Sequence, residues 1–160
     1  MTISKGDKLP ETTFVTMTEN GPEPVDSKDF FAGRTVALFS VPGAFTPTCS
    51  AKHLPGYVEK AEDLKARGVD AIACTAVNDA FVMGAWGKSA DADGKVAMLA
   101  DGNGDFVKAL GLEMDGSKFG MGTRGQRFSM LVKDGVVEEL NVEAPGDFKL
   151  SSAEHMLGQL

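Results

Sequence analysis

Short apolar runs separated by turns recur along the chain and predict buried β-strands. The clearest run covers residues 35–41, is rich in β-branched and aromatic side chains, and ends at Pro42-Gly43. A strand that is apolar at successive positions is typical of a sheet covered on both faces. The same pattern predicts further strands at residues 13–18, 69–77, 95–100 and 128–132.

Segments with helical periodicity lie between these strands. Apolar residues recur at helical spacing from Cys49 to Arg67, and Gly68 then ends the helix. Pro55-Gly56 lies inside this segment and predicts a kink or a break. A second helix follows Asn78 or Asp79, since either side chain can cap an N-terminus. A third, short helix is expected over Asp105–Leu110.

The order of the predicted elements indicates the fold class. Strands alternating with helices are typical of a parallel sheet. Asp134-Gly135 then predicts a tight turn into an antiparallel last strand, Val136–Val142. Residues 151–154, Ser-Ser-Ala-Glu, form a capping box for a C-terminal helix. We therefore expect an α/β, thioredoxin-like fold in which helices flank a central mixed β-sheet, formed as a single domain by residues 1–160.

Length and charge narrow the range of functions. A chain of 160 residues suits one domain. Its 23 acidic and 16 basic residues give a net charge of −7, which disfavours binding to nucleic acid or to anionic lipid. Residues 1–7 contain no apolar signal segment, and no stretch approaches the length of a membrane span, so we expect a cytoplasmic protein. Proteins or small molecules are the expected partners.

The two cysteines, Cys49 and Cys74, are too few for a disulfide-stapled scaffold and direct attention to thiol chemistry. Cys49 lies where a loop leaving a buried strand enters a helix. Unpaired N–H groups and the helix dipole favour an anion there, so we expect a reactive thiolate. The alternative is a small buried apolar residue, as free cysteines often are. Thr46 either places a bound oxygen beside the sulfur or simply caps the helix.

The segment around Cys49 resembles the peroxiredoxins. Pro42-x-x-x-Thr46-x-x-Cys49 matches their signature, and residues 41–50 with 53–57 are similar to the peroxiredoxin 5, or type II, branch. Similar segments at 77–82, 86–87, 99–101 and 127–130 extend the resemblance over nearly the whole chain. The resemblance implies a thiol-specific peroxidase that reduces hydrogen peroxide and organic hydroperoxides through a sulfenic acid on Cys49. The sequence contains no metal-ligand cluster, no phosphate-binding glycine-rich loop and no cofactor motif, so we expect no cofactor and no metal ion.

The resemblance also assigns roles to individual residues. Pro42 shields the thiolate, Thr46 hydrogen-bonds the peroxide, and Arg127 polarises the peroxide and stabilises the thiolate. An arginine suits this role because it keeps its charge at any working pH. Without the resemblance, Arg127 is simply an arginine at a strand start, and Arg124 is a second candidate participant.

Three more residues match positions around the family's substrate pocket. They are Gly43, Phe45 and Phe119. For the two phenylalanines, packing in the core is the alternative interpretation. The branch further implies a homodimer joined near the active-site loops.

Cys74 has two interpretations. It lies in the apolar run 71–75, where a cysteine is usually structural. Alternatively it resolves the oxidised Cys49, because it follows Cys49 by 25 residues, a spacing similar to that of plant and bacterial type II members. The mammalian branch resolves with a cysteine near the C-terminus, and residues 148–152 contain none. If Cys74 does not resolve Cys49, the implied reductant is glutathione with glutaredoxin, or thioredoxin.

Two motifs suggest other chemistry. His53 shares a helix face with Cys49, but a Cys-His hydrolase takes its histidine from a distant segment. Asp101-x-Asn103-x-Asp105 resembles the start of a calcium loop, yet Phe106 stands where such a loop needs glycine, so a turn and a helix cap are expected.

The rival hypothesis for function is a non-enzymatic redox sensor with a thioredoxin-like fold. In such a protein Cys49 would be oxidised once and would switch a protein partner. Thr46 and Arg127 favour the enzyme, because a sensor has less need of both residues.

Overall fold

A seven-stranded mixed sheet forms the centre of the computed structural model, which describes residues 1–160. The chain contains nine strands: β1 (Thr13–Thr18), β2 (Gly21–Asp26), β3 (Thr35–Ser40), β4 (Ala71–Ala76), β5 (Ala97–Ala100), β6 (Glu113–Asp115), β7 (Thr123–Gly125), β8 (Phe128–Lys133) and β9 (Val136–Val142). The large sheet has the order β2-β1-β5-β4-β3-β8-β9, and β6 pairs with β7 in a separate hairpin.

The directions of the strands confirm the expected mixed sheet. β3, β4 and β5 are parallel, whereas β1 and β8 pair antiparallel at either side of them. The predicted turn between β8 and β9 is present, with positive φ angles of 49° at Asp134 and 77° at Gly135. Positive φ at both central residues matches the twist of a two-residue hairpin. The thioredoxin-like, α/β class is confirmed.

Six α-helices and two short helices of other types flank the sheet. They are α1 (Ser27–Phe31), a π-helix (Cys49–His53), α2 (Leu54–Glu59), α3 (Ala61–Ala66), α4 (Ala80–Ser89), α5 (Asp105–Leu110), a 3₁₀-helix (Ser117–Phe119) and α6 (Ala153–Gly158). None of these helices combines the length and the apolar character that crossing a bilayer requires.

Apolar side chains cover both faces of the sheet, as the continuous apolar runs predict. Successive residues of β3 alternate between two clusters: Phe39 belongs to a cluster of 21 buried residues and Leu38 to a cluster of 14. The first cluster includes Leu54, Tyr57 and Trp86, and so joins β3 to α2 and α4. The side of the sheet that carries Phe39 is therefore the side on which Cys49 lies.

The long predicted helix differs from the expectation. Its first turn is a π-helix, in which Leu54 N–H donates to the carbonyl of Cys49, and the chain becomes α-helical one residue before Pro55. Pro55 is tolerated because the first turn of an α-helix does not need its N–H. The interruption lies at Lys60 rather than at Pro55-Gly56. Gly68, with φ of +100°, follows the end of α3 as predicted.

The C-terminal cap lies one residue later than expected. Ser152 caps α6 by accepting from His155 N–H at 3.1 Å. Ser151 instead donates from its hydroxyl to Glu143 at 2.7 Å. The capping box was placed wrongly because both serines satisfy local capping rules, and only the contact with Glu143 distinguishes them.

Other local predictions are confirmed. Asp79, rather than Asn78, caps α4 and accepts from Val82 N–H at 2.8 Å. The carboxylate of Asp101 accepts from the N–H groups of Phe106 and Val107, both at 3.0 Å, so this segment is a turn that caps α5.

Candidate active site

Cys49 lies at the junction of a buried strand and a helix, as the sequence predicts. β3 ends at Ser40, residues 41–46 form a loop, and a helical turn that begins at Pro47 continues as the π-helix from Cys49, whose side chain is fully buried. Two side-chain hydrogen bonds hold the segment on either side of Cys49. Ala44 N–H donates to Asn78 Oδ1, and Trp86 Nε1 donates to Ser50 Oγ, both at 2.9 Å. These two anchors were not predicted, because they join segments more than 30 residues apart.

Arg127 contacts Cys49 directly. Its Nη2 donates to Cys49 Sγ at 3.0 Å. The contact results from sheet register: Ser40 of β3 pairs with Phe128 of β8, which brings residue 127 beside the loop that follows β3. A guanidinium at this distance holds a permanent positive charge, and a fixed N–H donor, against the sulfur.

His53 contacts the same arginine, and sequence reasoning missed this role. Its Nδ1 accepts from Arg127 Nη1 at 2.8 Å, and its Nε2 faces the carbonyl of Ser151 at 2.9 Å. Burial, and then the charge of Arg127, lower the pKa of His53 from 6.5 to about 3. His53 is therefore neutral near pH 7. Its position four residues after Cys49 was the signal that could have placed it in the site.

Thr46 and Gly43 shape the loop before Cys49. Thr46 stands just before the helical turn that begins at Pro47, and its carbonyl accepts from Ser50 N–H at 2.9 Å. Its Oγ1 donates to the carbonyl of Gly43 at 2.7 Å, so the hydroxyl itself does not cap the helix. With its proton held by Gly43, the hydroxyl oxygen has lone pairs left to accept from a bound O–H group. A Cβ on Gly43 would lie 2.9 Å from Arg124 Nη1 and 3.1 Å from Thr46 Cγ2, so a larger residue here would displace the guanidinium of Arg124.

Arg124 and Pro42 meet beside the site. Arg124 Nη1 donates to the carbonyl of Pro42 at 3.3 Å, and its Nε donates to the carbonyl of Met121 at 3.0 Å. These bonds tie β7 to the loop that precedes Cys49. Arg124 makes no hydrogen bond to Cys49, so its contribution to the site is to hold the loop.

A cavity of about 400 Å³ opens beside Arg127. Its other lining residues include Pro42, Thr48 and Glu143. A larger cavity, of about 550 Å³, lies between β1 and α4 and contains no residue of this site. The cavity beside Arg127 is therefore the one of the two that borders the site, although Cys49 and Thr46 do not line it.

Phe45 and Phe119 are exposed rather than packed in the core. Their exposed fractions are 55% and 81%, and Phe45 has a positive φ of 62°, which is rare for a bulky residue. Packing in the core is therefore the wrong interpretation for both. Neither they nor Gly43 border the cavity beside Arg127. Their place in a substrate pocket stays a prediction.

Cys74 is buried in the middle of the sheet. It lies on β4 between Phe39 of β3 and Met98 of β5, in the same apolar cluster as Cys49, and both cysteines are free thiols. Burial raises the pKa of Cys74 well above its usual value; the charge of Cys49 raises it further, whereas Arg127 lowers it. Cys74 is therefore a neutral thiol near pH 7.

Glu143 organises the loop that follows β9. Its Oε2 accepts from the N–H groups of residues 149–151 and from the hydroxyl of Ser151. Burial favours the neutral acid, yet the pKa of Glu143 is lowered, because these hydrogen bonds stabilise the carboxylate. The loop that carries the carbonyl facing His53 is therefore held by a charged acceptor. No three His, Cys, Asp or Glu side chains lie together in an arrangement that could hold a metal ion.

Comparisons with known proteins agree with this geometry. The model of the redoxin family matches residues 4–157. The chain is 52% identical to peroxiredoxin-2E-2, chloroplastic, of Oryza sativa subsp. japonica, over 99% of this chain and 73% of that protein. It is 47% identical to peroxiredoxin-2B of Arabidopsis thaliana, over 99% and 98% of the two chains. Reduced Prx3 of Vibrio vulnificus, solved with hydrogen peroxide, superposes with a TM-score of 0.95 at 52% identity, covering 98% of each chain.

Proposed function

The chain belongs to the peroxiredoxins of the redoxin family and is a thiol-dependent peroxidase, and we propose that it reduces hydrogen peroxide and organic hydroperoxides through a sulfenic acid on Cys49. The observation that carries this proposal is the hydrogen bond from Arg127 Nη2 to Cys49 Sγ, at 3.0 Å. It places a permanent positive charge where the reaction needs a thiolate and where negative charge develops.

The first half of the cycle follows from the contacts around Cys49. The thiolate attacks the hydroxyl oxygen of the peroxide, an S–O bond forms, and the O–O bond breaks. The attacked oxygen keeps its proton, so Cys49 becomes a sulfenic acid, while the leaving oxygen departs as hydroxide or alkoxide and takes a proton from water. Thr46 accepts a hydrogen bond from the peroxide O–H, and Arg127 stabilises the charge on the leaving oxygen.

The second half of the cycle returns the sulfenic acid to a thiol. We propose an external reductant, glutathione with glutaredoxin or else thioredoxin. A first thiol displaces water from the sulfenic acid and forms a mixed disulfide, and a second thiol then releases Cys49. This route is supported by the burial of Cys74, whose raised pKa leaves little thiolate to attack Cys49. Cys49 is itself fully buried, so either route requires local opening of its helix.

A comparison of reductants tests both halves of the proposed catalytic cycle. Wild type and Cys49→Ser are assayed for catalytic loss of hydrogen peroxide with glutathione and glutaredoxin, and separately with thioredoxin. Turnover by wild type that is lost in Cys49→Ser supports the enzyme, whereas one stoichiometric oxidation without turnover supports the sensor.

Cys74→Ser separates the two recycling routes. With an external reductant, this variant keeps the turnover of wild type. A Cys49–Cys74 disulfide in peroxide-treated protein, detected by mass spectrometry, together with lost turnover in Cys74→Ser, would instead assign resolution to Cys74.

We also propose that the chain forms a homodimer through its exposed aromatic residues. Phe45, Phe81 and Phe119 have exposed fractions of 55%, 66% and 81%, and Phe45 lies in the loop before Cys49. Large exposed apolar side chains mark interaction surfaces when they cluster. Sedimentation of wild type and Phe119→Glu tests this, with Leu150→Glu, at a position 42% exposed, as the matched control. A monomeric wild type would overturn it.

A cytoplasmic location stays a prediction, to be checked by cell fractionation.

A further inference from the structure

The guanidinium of Arg127 is held by two partners at once. Nη2 donates to Cys49 Sγ at 3.0 Å, while Nη1 donates to His53 Nδ1 at 2.8 Å. The guanidinium is planar and its nitrogens have fixed directions, so a bond that fixes one nitrogen also fixes the direction of the other. The contact with His53 therefore determines where Nη2 points.

The proton on His53 is assigned by its neighbours. Nε2 faces the carbonyl of Ser151 at 2.9 Å, and a carbonyl can only accept, so Nε2 carries the proton. Nδ1 then holds a lone pair, and the guanidinium of Arg127 can only donate to it. Both contacts require the same neutral tautomer. A protonated His53 would lose this acceptor and would place a second positive charge beside the arginine.

The surroundings keep His53 in this orientation. The ring is fully buried and packs against Phe39, at 4.7 Å between ring centres, and against Phe148, at 4.9 Å. The carbonyl of Ser151 also accepts from Tyr57 Oη at 2.9 Å. Ser151 is itself fixed by its N–H and hydroxyl bonds to Glu143 Oε2, at 2.8 and 2.7 Å. The acceptor for His53 is thus rigid.

Because His53 is neutral, it does not cancel the positive charge that Arg127 places beside Cys49. Arg127 makes no ion pair with any carboxylate of the chain. A carboxylate in place of His53 would orient the guanidinium equally well but would cancel much of its field at the sulfur. An imidazole lone pair orients the group and leaves its positive charge available to Cys49.

We propose that His53 is a positioning residue that aims Arg127 at Cys49 without neutralising it. This inference rests on the proposed peroxidase function and extends it to a residue that makes no hydrogen bond to the sulfur. Its support is geometric: one buried imidazole joins the fixed carbonyl of Ser151 to the arginine that contacts Cys49.

Three variants test the proposal. His53→Leu removes both hydrogen bonds at similar volume, whereas His53→Gln can still accept from Arg127 and donate to Ser151. His155→Leu replaces the chain's other histidine, which lies in α6, and is the matched control. Circular dichroism and thermal unfolding identify variants that fold.

Two readouts follow the effect at Cys49. The first is the pH midpoint of the alkylation rate of Cys49 by iodoacetamide, with Cys49→Ser as blank. The second is the rate constant for oxidation by hydrogen peroxide. We expect His53→Leu to raise the midpoint by about one pH unit and to slow oxidation at least ~10-fold, since the arginine contact is misaligned. His53→Gln should keep the alkylation midpoint and the oxidation rate constant close to those of wild type, and His155→Leu should change neither quantity.

A folded His53→Leu with the midpoint and rate of wild type would overturn the proposal. If His53→Leu does not fold, nitrogen NMR of the wild-type protein tests the proposal instead. The proposal requires that the ring of His53 is the neutral Nε2–H tautomer between pH 5 and 8. A protonated ring, or the other tautomer, would overturn it. The alkylation midpoint does not depend on turnover. An absence of peroxidase turnover in wild type therefore refutes the proposed function separately from the role of His53.

Discussion

Replacing Arg127 with glutamine tests the contact on which the proposed chemistry depends. Nη2 of Arg127 lies 3.0 Å from Cys49 Sγ, so the substitution removes a hydrogen bond to a charged acceptor. Such a bond contributes about 1.5–3 kcal/mol. Each 1.36 kcal/mol corresponds to a factor of ten in rate, so we expect the rate constant for hydrogen peroxide to fall about 10- to 150-fold.

The single tryptophan supplies the assay. Trp86 Nε1 donates to Ser50 Oγ at 2.9 Å, and Ser50 is the neighbour of Cys49 in the chain. Oxidation of Cys49 should therefore alter the fluorescence of Trp86. Stopped-flow mixing of the reduced protein with increasing peroxide gives the second-order rate constant without any reductant. Arg124→Gln is the matched control, because Arg124 bonds only to the carbonyls of Pro42 and Met121.

The comparison of the two arginine variants decides the reasoning. We expect the rate constant of Arg124→Gln to fall less than that of Arg127→Gln, because losing Arg124 only makes the loop before Cys49 less ordered. A rate constant for Arg127→Gln within twofold of wild type would refute the argument. Equal losses in the two variants would also contradict it, because the effect would then come from the charge of the region rather than from the contact with Cys49.

Three further predictions concern stability. Gly43→Ala places a Cβ 2.9 Å from Arg124 Nη1 and displaces it from the carbonyl of Pro42, so urea unfolding should show a loss of about 0.5–1.5 kcal/mol. Gly56→Ala, with open space around it, should be neutral or stabilising. The pKa of His53 is lowered from 6.5 to about 3 in the folded protein. Below pH 6.5 the unfolded state therefore binds a proton that the folded state does not bind. The free energy of unfolding should decrease from pH 6.5 towards pH 3 by up to about 1.4 kcal/mol per pH unit. This contribution should disappear in His53→Gln and persist in His155→Gln; equal pH profiles in all three proteins would contradict it. Ser152→Ala removes the cap of α6 and should cost about 1 kcal/mol in urea unfolding, and an unchanged midpoint would show that the cap is dispensable.

The sequence predicts the parts of the fold that depend on local signals. The apolar run that became β3, the Asp134-Gly135 turn and the Asp79 cap were all predictable, because each is determined by neighbours in the chain. β2 was missed, since Pro22 and Pro24 argue against a strand, and β2 accepts them only as the outermost strand of the sheet.

The residues of the candidate site also differ in how far local sequence signals predict them. Cys49 could be singled out from its position between a strand and a helix. Arg127 could be chosen over Arg124 only through resemblance to a family, since it reaches Cys49 by the register of β3 with β8. The position of His53 four residues after Cys49 could place it in the site, but its role could not be assigned, because that role depends on the carbonyl of Ser151, almost 100 residues away in the chain.

The most direct test of the central claim is to trap the oxidised form of Cys49. Reduced wild-type protein is treated with one equivalent of hydrogen peroxide in the presence of dimedone, which labels sulfenic acids, and the labelled peptide is identified by mass spectrometry. We predict dimedone on Cys49, none on Cys74, and catalytic turnover of peroxide by the same preparation when a thiol reductant is supplied. Label on Cys74, or turnover that survives in Cys49→Ser, would contradict the account.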